Sequence, residues 1–178
     1  MTSVIYFDTD CFSSFLLVKQ ESILFRLYPG RILLPKQVYG ELCNPSVPHI
    51  KRRTKGLRSK GVLSTREILI DTEEYRLYYE LAISPSVNKK IIGKGEAAAI
   101  ALAKTYDGIL ASNDLKDVTC YVKKYNLKHL TTGDILVAAK DTGCIDEAKG
   151  NGIWCEMIDR NRILPADSFT DYLEMVKS

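Results

Sequence analysis

Six acidic side chains in this sequence stand where they could gather charge for chemistry. Asp8 and Asp10 follow the apolar run Val4 to Phe7, and Asp114 and Asp117 follow the run Gly108-Ile109-Leu110-Ala111. An aspartate after a strand is often only the N-cap of the next helix, and Asp10 or Asp117 alone would be read that way. Two acidic pairs at the ends of separate strands demand more, because clustered carboxylates raise one another's pKa unless a cation neutralises them. Together they point to a hard divalent metal, Mg²⁺ or Mn²⁺, which prefers oxygen ligands. Two glutamates could complete the group. Glu41 is next to Leu42, which shares a helix face with Val38 four residues earlier, so Glu41 falls at the edge of a buried stripe or on a solvated face. Glu96 opens an alanine-rich helix, where attraction to the helix dipole is the purely structural alternative.

These residues need elements to hold them. The apolar runs Val4 to Phe7, Arg31 to Leu34 and Gly108 to Ala111 each precede polar, proline or acidic residues and then a helical pattern. Buried strands feeding helices explain this. Leu127 to Thr131 is a fourth strand candidate and Gly152 to Cys155 a fifth. Helices are predicted over Lys36 to Cys43, over Thr72 to Ala82 with Asp71 as N-cap and a stop before Pro85, and over Asp134 to Lys140 with a left-handed cap at Gly143. Glu96 to Lys104 consists almost wholly of strong helix formers, introduced by Gly93 and Gly95. Alternating strands and helices predict an α/β fold, a mainly parallel sheet with helices on both faces. In such a sheet ligands bind beyond the carboxyl ends of the strands, where the aspartates stand.

Composition narrows the function classes. With 178 residues, 46% hydrophobic and 26% charged, the chain is neither disordered nor collagen-like, and residues 1–178 read as a single domain. A net charge of +3 is too mild by itself to indicate a nucleic-acid partner. Met1 leads directly into Val4-Ile5-Tyr6-Phe7 without the basic region of a secretory leader, and no apolar run approaches the ~20 residues of a membrane helix, so a cytoplasmic protein is expected. The five scattered cysteines lack a Cys-x-x-Cys pair and read as small buried apolar side chains. His49 and His129 have no partner at triad spacing, which argues against nucleophilic catalysis through histidine.

The motifs resemble the PIN-domain nucleases, and within them the group marked by a Gly-x-Gly-Glu-Ala-x-Ala-Ile-Ala-Leu-Ala stretch, here Gly93 to Ala103. The similarity extends from the strand ending in Asp8-Thr9-Asp10 through Arg31 to Leu42. It continues past the alanine-rich helix to the Ile109-to-Asp114 strand end, the Leu130-to-Leu136 turn and the Ala139-to-Ile145 exit. The resemblance implies a PIN-like α/β sheet gathering four acids around one or two Mg²⁺ or Mn²⁺ ions to hydrolyse phosphodiesters, usually of RNA. Carried over, those acids are Asp8, Glu41, Glu96 and Asp114, with Asp8, Glu96 and Asp114 as metal ligands. Two positions depart from the group: Ala98 replaces a frequent second glutamate, and Asn113-Asp114 replaces Asp-Asp. Asp117 matches the acid of the looser pattern Thr-x-Asn-x-x-Asp, so either Asp114 or Asp117 is the fourth ligand. The resemblance leaves a small antitoxin partner open; independently of it a second copy of the chain is a candidate partner, and no membrane partner is expected.

The chemistry is independent of the family. A phosphodiester is already negative and attack adds charge, so metal held by carboxylates must neutralise the entering and leaving oxygens while water is activated. A polyanion approaching such a site needs flanking cations. Lys51, Arg52, Arg53, Lys55, Arg58 and Lys60 lie in a stretch without a single acid and are the expected contacts to single-stranded RNA, the alternative being a solvated helix or loop. Lys123, Lys124 and Lys128 form a weaker second patch. Tyr75, Tyr78 and Tyr79 are read as packing against the core rather than stacking bases.

Two rival functions share these residues. Asp8-Thr9-Asp10 resembles the Asp-x-Asp opening of haloacid-dehalogenase-type phosphatases, with Asp8 as nucleophile, although Cys11 replaces the usual Thr or Val. A nucleic-acid-binding module that has lost turnover is the non-enzymatic alternative, favoured by Asn113 and Ala98.

Overall fold

The computed structural model describes residues 3–84 and 91–177, in the order β1 (Ile5–Phe7), α1 (Thr9–Leu17), α2 (Glu21–Leu27), β2 (Ile32–Pro35), α3 (Lys36–Leu42), α4 (Pro48–Ser59), β3 (Ser64–Arg66), α5 (Glu73–Ala82), α6 (Lys94–Thr105), β4 (Ile109–Ala111), α7 (Leu115–Tyr125), β5 (Lys128–Leu130), α8 (Thr132–Asp141), α9 (Glu147–Asp159) and α10 (Phe169–Lys177). The sheet among the described residues has five strands in the order β3-β2-β1-β4-β5, every pair parallel. The strand order runs outward from β1 to β3 and then resumes on the other side at β4. The reversal opens a crevice at the carboxyl ends of β1 and β4.

Alternation along the short strands divides the core into two layers. Ile5 and Phe7 of β1 face a cluster built with α1, α2, α8, α9 and α10, whereas Tyr6 faces one built with α5, α6 and α7. The loop after β1 therefore leads to a helix on one face and the loop after β4 to a helix on the other. Helix α6 is buried all round from Ala97 to Ala103, as expected of a helix apolar on every side. Its alanines let it lie close on the sheet and on α3 and α5.

Several expectations need correction. Gly152 to Cys155 is the middle of α9, not a strand. The glycines obscure that helix because one of them makes room: a Cβ on Gly150 would stand 2.3 Å from the Phe169 ring of α10. Strand β3, Ser-Thr-Arg, has no apolar run to betray it, since it lies at the sheet edge and is only partly buried. Thr72, not Asp71, caps α5, accepting from the Tyr75 N–H, and Asp71 has a left-handed φ of 69° in the turn before it. Pro85, expected to stop that helix, lies outside the described residues. Gly143 does adopt the expected left-handed conformation after α8, with φ 71°. Of the cysteines, Cys11 is buried but Cys120 and Cys155 are exposed, and all five are free thiols. Tyr78 is buried, Tyr75 packs against the same cluster and Tyr79 is exposed. Among the described residues no helix is long and apolar enough to cross a membrane.

Candidate active site

Asp8 ends β1 and starts α1. It is only 3% exposed, and its Oδ1 accepts the Cys11 N–H at 2.7 Å, capping α1. Burial pushes its carboxyl up to about 7, against hydrogen bonds from the Ser112 side chain and the Cys11 N–H, with the charges of Asp10 and Asp114 adding to the rise. Three residues after β4, Asp114 is exposed and its Oδ1 caps α7 by accepting the Asp117 N–H at 3.0 Å. Capping and charge clustering thus coexist in Asp8 and Asp114, while Asp10 and Asp117, the aspartates read as caps when taken alone, sit inside the first turns.

The glutamates come from the α3 and α6 helices. Glu41, one residue before the end of α3, accepts the Thr9 hydroxyl and the Gly95 N–H, the latter at 3.1 Å on Oε1. That bond satisfies one of the orphan amides of α6, whose N-cap Gly93 has no side chain to do so. The approach requires glycine: a Cβ at Gly95 would lie 2.7 Å from Glu41 Oε2 and 2.9 Å from Thr9 Oγ1. Glu96 follows in the first turn of α6. Asp8, Asp10, Glu41, Glu96 and Asp114, with Thr9, Gly93 and Gly95, line one cleft of about 170 Å³. Asp117 is not in its lining.

Asp10 is held differently. Its Oδ1 is 2.5 Å from Arg162 Nη1 and its Oδ2 accepts Asn113 Nδ2 at 3.2 Å. Asn113 is itself tied to the start of α8, accepting the Thr132 N–H at 2.8 Å and donating to Thr132 Oγ1 at 2.9 Å. Sequence reasoning missed Arg162 and Thr9 as site-forming residues. Nothing marks Arg162 in its own neighbourhood, because its partner lies 152 positions away.

Among the described residues no three His, Cys, Asp or Glu side chains are already posed to hold a metal ion. In these positions Asp8 and Asp114 cap helices, Glu41 binds Thr9 and Gly95, and Asp10 binds Arg162, which keeps like charges apart. The donor set still fits a hard cation: carboxylate oxygens around one cleft, with a buried carboxyl raised by the cost of holding negative charge there.

The basic segment forms α4. Arg53 is ion-paired with the largely buried Glu21 of α2, and Arg58 lies over the Tyr39 ring at 4.7 Å. Arg52, Lys55 and Lys60 are exposed and Lys51 partly so. Between α4 and the acids runs a groove of about 330 Å³, shared by Thr9, Asp10 and Glu41 with the cleft and continuing over Leu42, Val47 and Ile50. Lys123 and Lys124 end α7 and Lys128 begins β5, which puts them at the amino end of the parallel sheet, opposite the acids.

A family model described as a PIN domain matches residues 4–178. No curated protein gives a significant match to the chain.

Proposed function

Because the chain belongs to the PIN-domain family, whose members are typically metal-dependent nucleases, we propose that it is an endoribonuclease hydrolysing phosphodiesters of single-stranded RNA at the cleft of Asp8, Glu41, Glu96 and Asp114. The observation that carries this reading is the meeting of four acids from four separate elements in one cleft at the strand-order reversal. Asp8, Glu96 and Asp114 would hold Mg²⁺ or Mn²⁺, which supplies positive charge to the attacked phosphate and acidifies water.

Within that reading the chain's own groups divide the work. Asp8 must be ionised to serve, so proton and cation compete for it. Glu41, steadied by Thr9 and Gly95, accepts a proton of the attacking water as the water oxygen bonds to phosphorus, and the leaving ribose oxygen takes a proton from solvent as its bond to phosphorus breaks. Asp117 supports Asp114 through its backbone N–H in the α7 cap and, in the first turn of α7, is the alternative fourth ligand. The exposed cations of α4 hold the strand by its phosphates without reading sequence. The PIN family also favours this reading over the phosphatase, in which Asp10 would have to act as an acid despite its ion pair with Arg162. Support for a toxin role, with a small antitoxin partner, comes from the family alone.

The test is cleavage of single-stranded RNA oligonucleotides with Mg²⁺ or Mn²⁺. Activity abolished by chelator and by Asp8→Asn is expected. Metal-independent RNA binding with no cleavage of any substrate would favour the binding module instead.

A further inference from the structure

We infer that Arg162 is the cation that grips an RNA phosphate at the mouth of the acid cleft, with Asp10 as its positioning residue; the inference rests on the nuclease reading and extends it. Five carboxylates line the cleft, and among the described residues lining it or the adjoining groove Arg162 is the one positive side chain. A metal would meet the charge of the attacked phosphate, but the next phosphate along the strand faces those same carboxylates and needs its own cation.

Arg162 is built for that place. It comes from the turn after α9, is 26% exposed, and puts Nη1 on Asp10 Oδ1. Asp10 is pinned from its other side by Asn113, which the Thr132 N–H and hydroxyl lock in turn. The guanidinium is therefore aimed by a fixed carboxylate while its Nε, shielded from water, has no hydrogen-bond partner. Nη1 alone meets Asp10, so Nη2 is left to donate a charge-assisted hydrogen bond to a phosphate. The α4 cations do not take this place: Arg53 is bound to Glu21, and the others stand beyond the groove.

The experiment uses the full chain carrying Asp8→Asn, so that RNA is bound without being cut. Binding of a fluorescent single-stranded RNA is measured against salt, with and without Arg162→Gln, which removes the charge and keeps a neutral polar side chain. Affinity should fall about ten- to a hundredfold, the worth of a hydrogen bond to a charged group, and the log–log salt slope should drop by about 0.7. Arg162→Lys should restore the slope and only part of the affinity. In the otherwise native chain Arg162→Gln should raise KM far more than it lowers kcat. An unchanged affinity and slope with a lowered melting temperature would make Arg162 a structural tie and overturn the inference, while persisting cleavage by that variant would leave the nuclease reading standing. No RNA binding by the Asp8→Asn chain, together with no cleavage by the native one, would overturn both.

Discussion

At Asp8, one side chain meets two opposing demands: as N-cap it stabilises α1, and as a buried carboxylate among acids it costs the fold stability once ionised. The folded carboxyl titrates at about 7 against an ordinary 3.8, so between those values the folded chain holds a proton that the unfolded chain has released. Its contribution to stability is complete below about pH 4, is lost as pH rises through 7, and is constant above. Asparagine caps a helix as well as aspartate does. Asp8→Asn in chelator should therefore melt at or above the native chain at pH 8, with the advantage shrinking towards pH 5. Asp8→Ala, lacking the cap, should lose about 1 kcal/mol relative to Asp8→Asn. Thermal melts across that pH range decide it; an Asp8→Asn variant that melts well below the native chain at pH 8 would mean that the ionised group supports the fold.

At the scale of elements, Glu41 of α3 accepts the Gly95 N–H of α6, and the missing Cβ at Gly95 is what lets that hydrogen bond form. Gly95→Ala should push the Glu41 carboxylate aside. Since that carboxylate is the end of a flexible chain, and alanine favours a helix over glycine by up to about 1 kcal/mol, the melting temperature should hold or rise slightly. RNA cleavage should nevertheless fall steeply, and an active, stable Gly95→Ala would show that the position of Glu41 is unimportant. Helix α4 separates its own roles in a similar way. Arg53→Ala should destabilise the chain by breaking the pair with Glu21, a partly buried interaction. Replacing Arg52, Lys55 and Lys60 by alanine should spare stability and flatten the salt dependence of RNA binding by about 0.7 for each phosphate no longer neutralised. An unaltered slope would make α4 only a solvated surface.

For the molecule as a whole, the cleft joins elements far apart in sequence, so a cation bound there would brace the entire fold. Mn²⁺ at a hundred times its dissociation constant should add about 2.7 kcal/mol, raising the melting temperature by roughly 5 to 10 °C for a chain of this size. Asp8→Asn should abolish most of that rise. Calorimetry with and without Mn²⁺ reads both, and an equal rise in the two chains would place the bound metal elsewhere.

Much of this architecture is local and so was legible in the sequence. The runs Val4 to Phe7 and Gly108 to Ala111 hold the strands Ile5–Phe7 and Ile109–Ala111, short apolar stretches bounded by polar residues that suit a sheet buried on both faces, and Glu96 to Lys104 is helical because its alanines favour a helix summed over the segment. The acids after those strands were visible for the same reason, since the end of a buried strand is where polar residues resume. What lies in the pairing of distant residues was not legible. Strand β3 is fixed by its pairing with β2, and α9, which runs through Gly152 to Cys155, packs closely on Phe169 because Gly150 leaves space. Only the tertiary structure brought Arg162 to Asp10 and Arg53 to Glu21, giving two charges in otherwise ordinary surface sequence different surroundings. Hydrophobic periodicity reports which face of an element is buried; a charged side chain's partner is fixed by which elements the packed core brings together, and that information is carried by no single stretch of the chain.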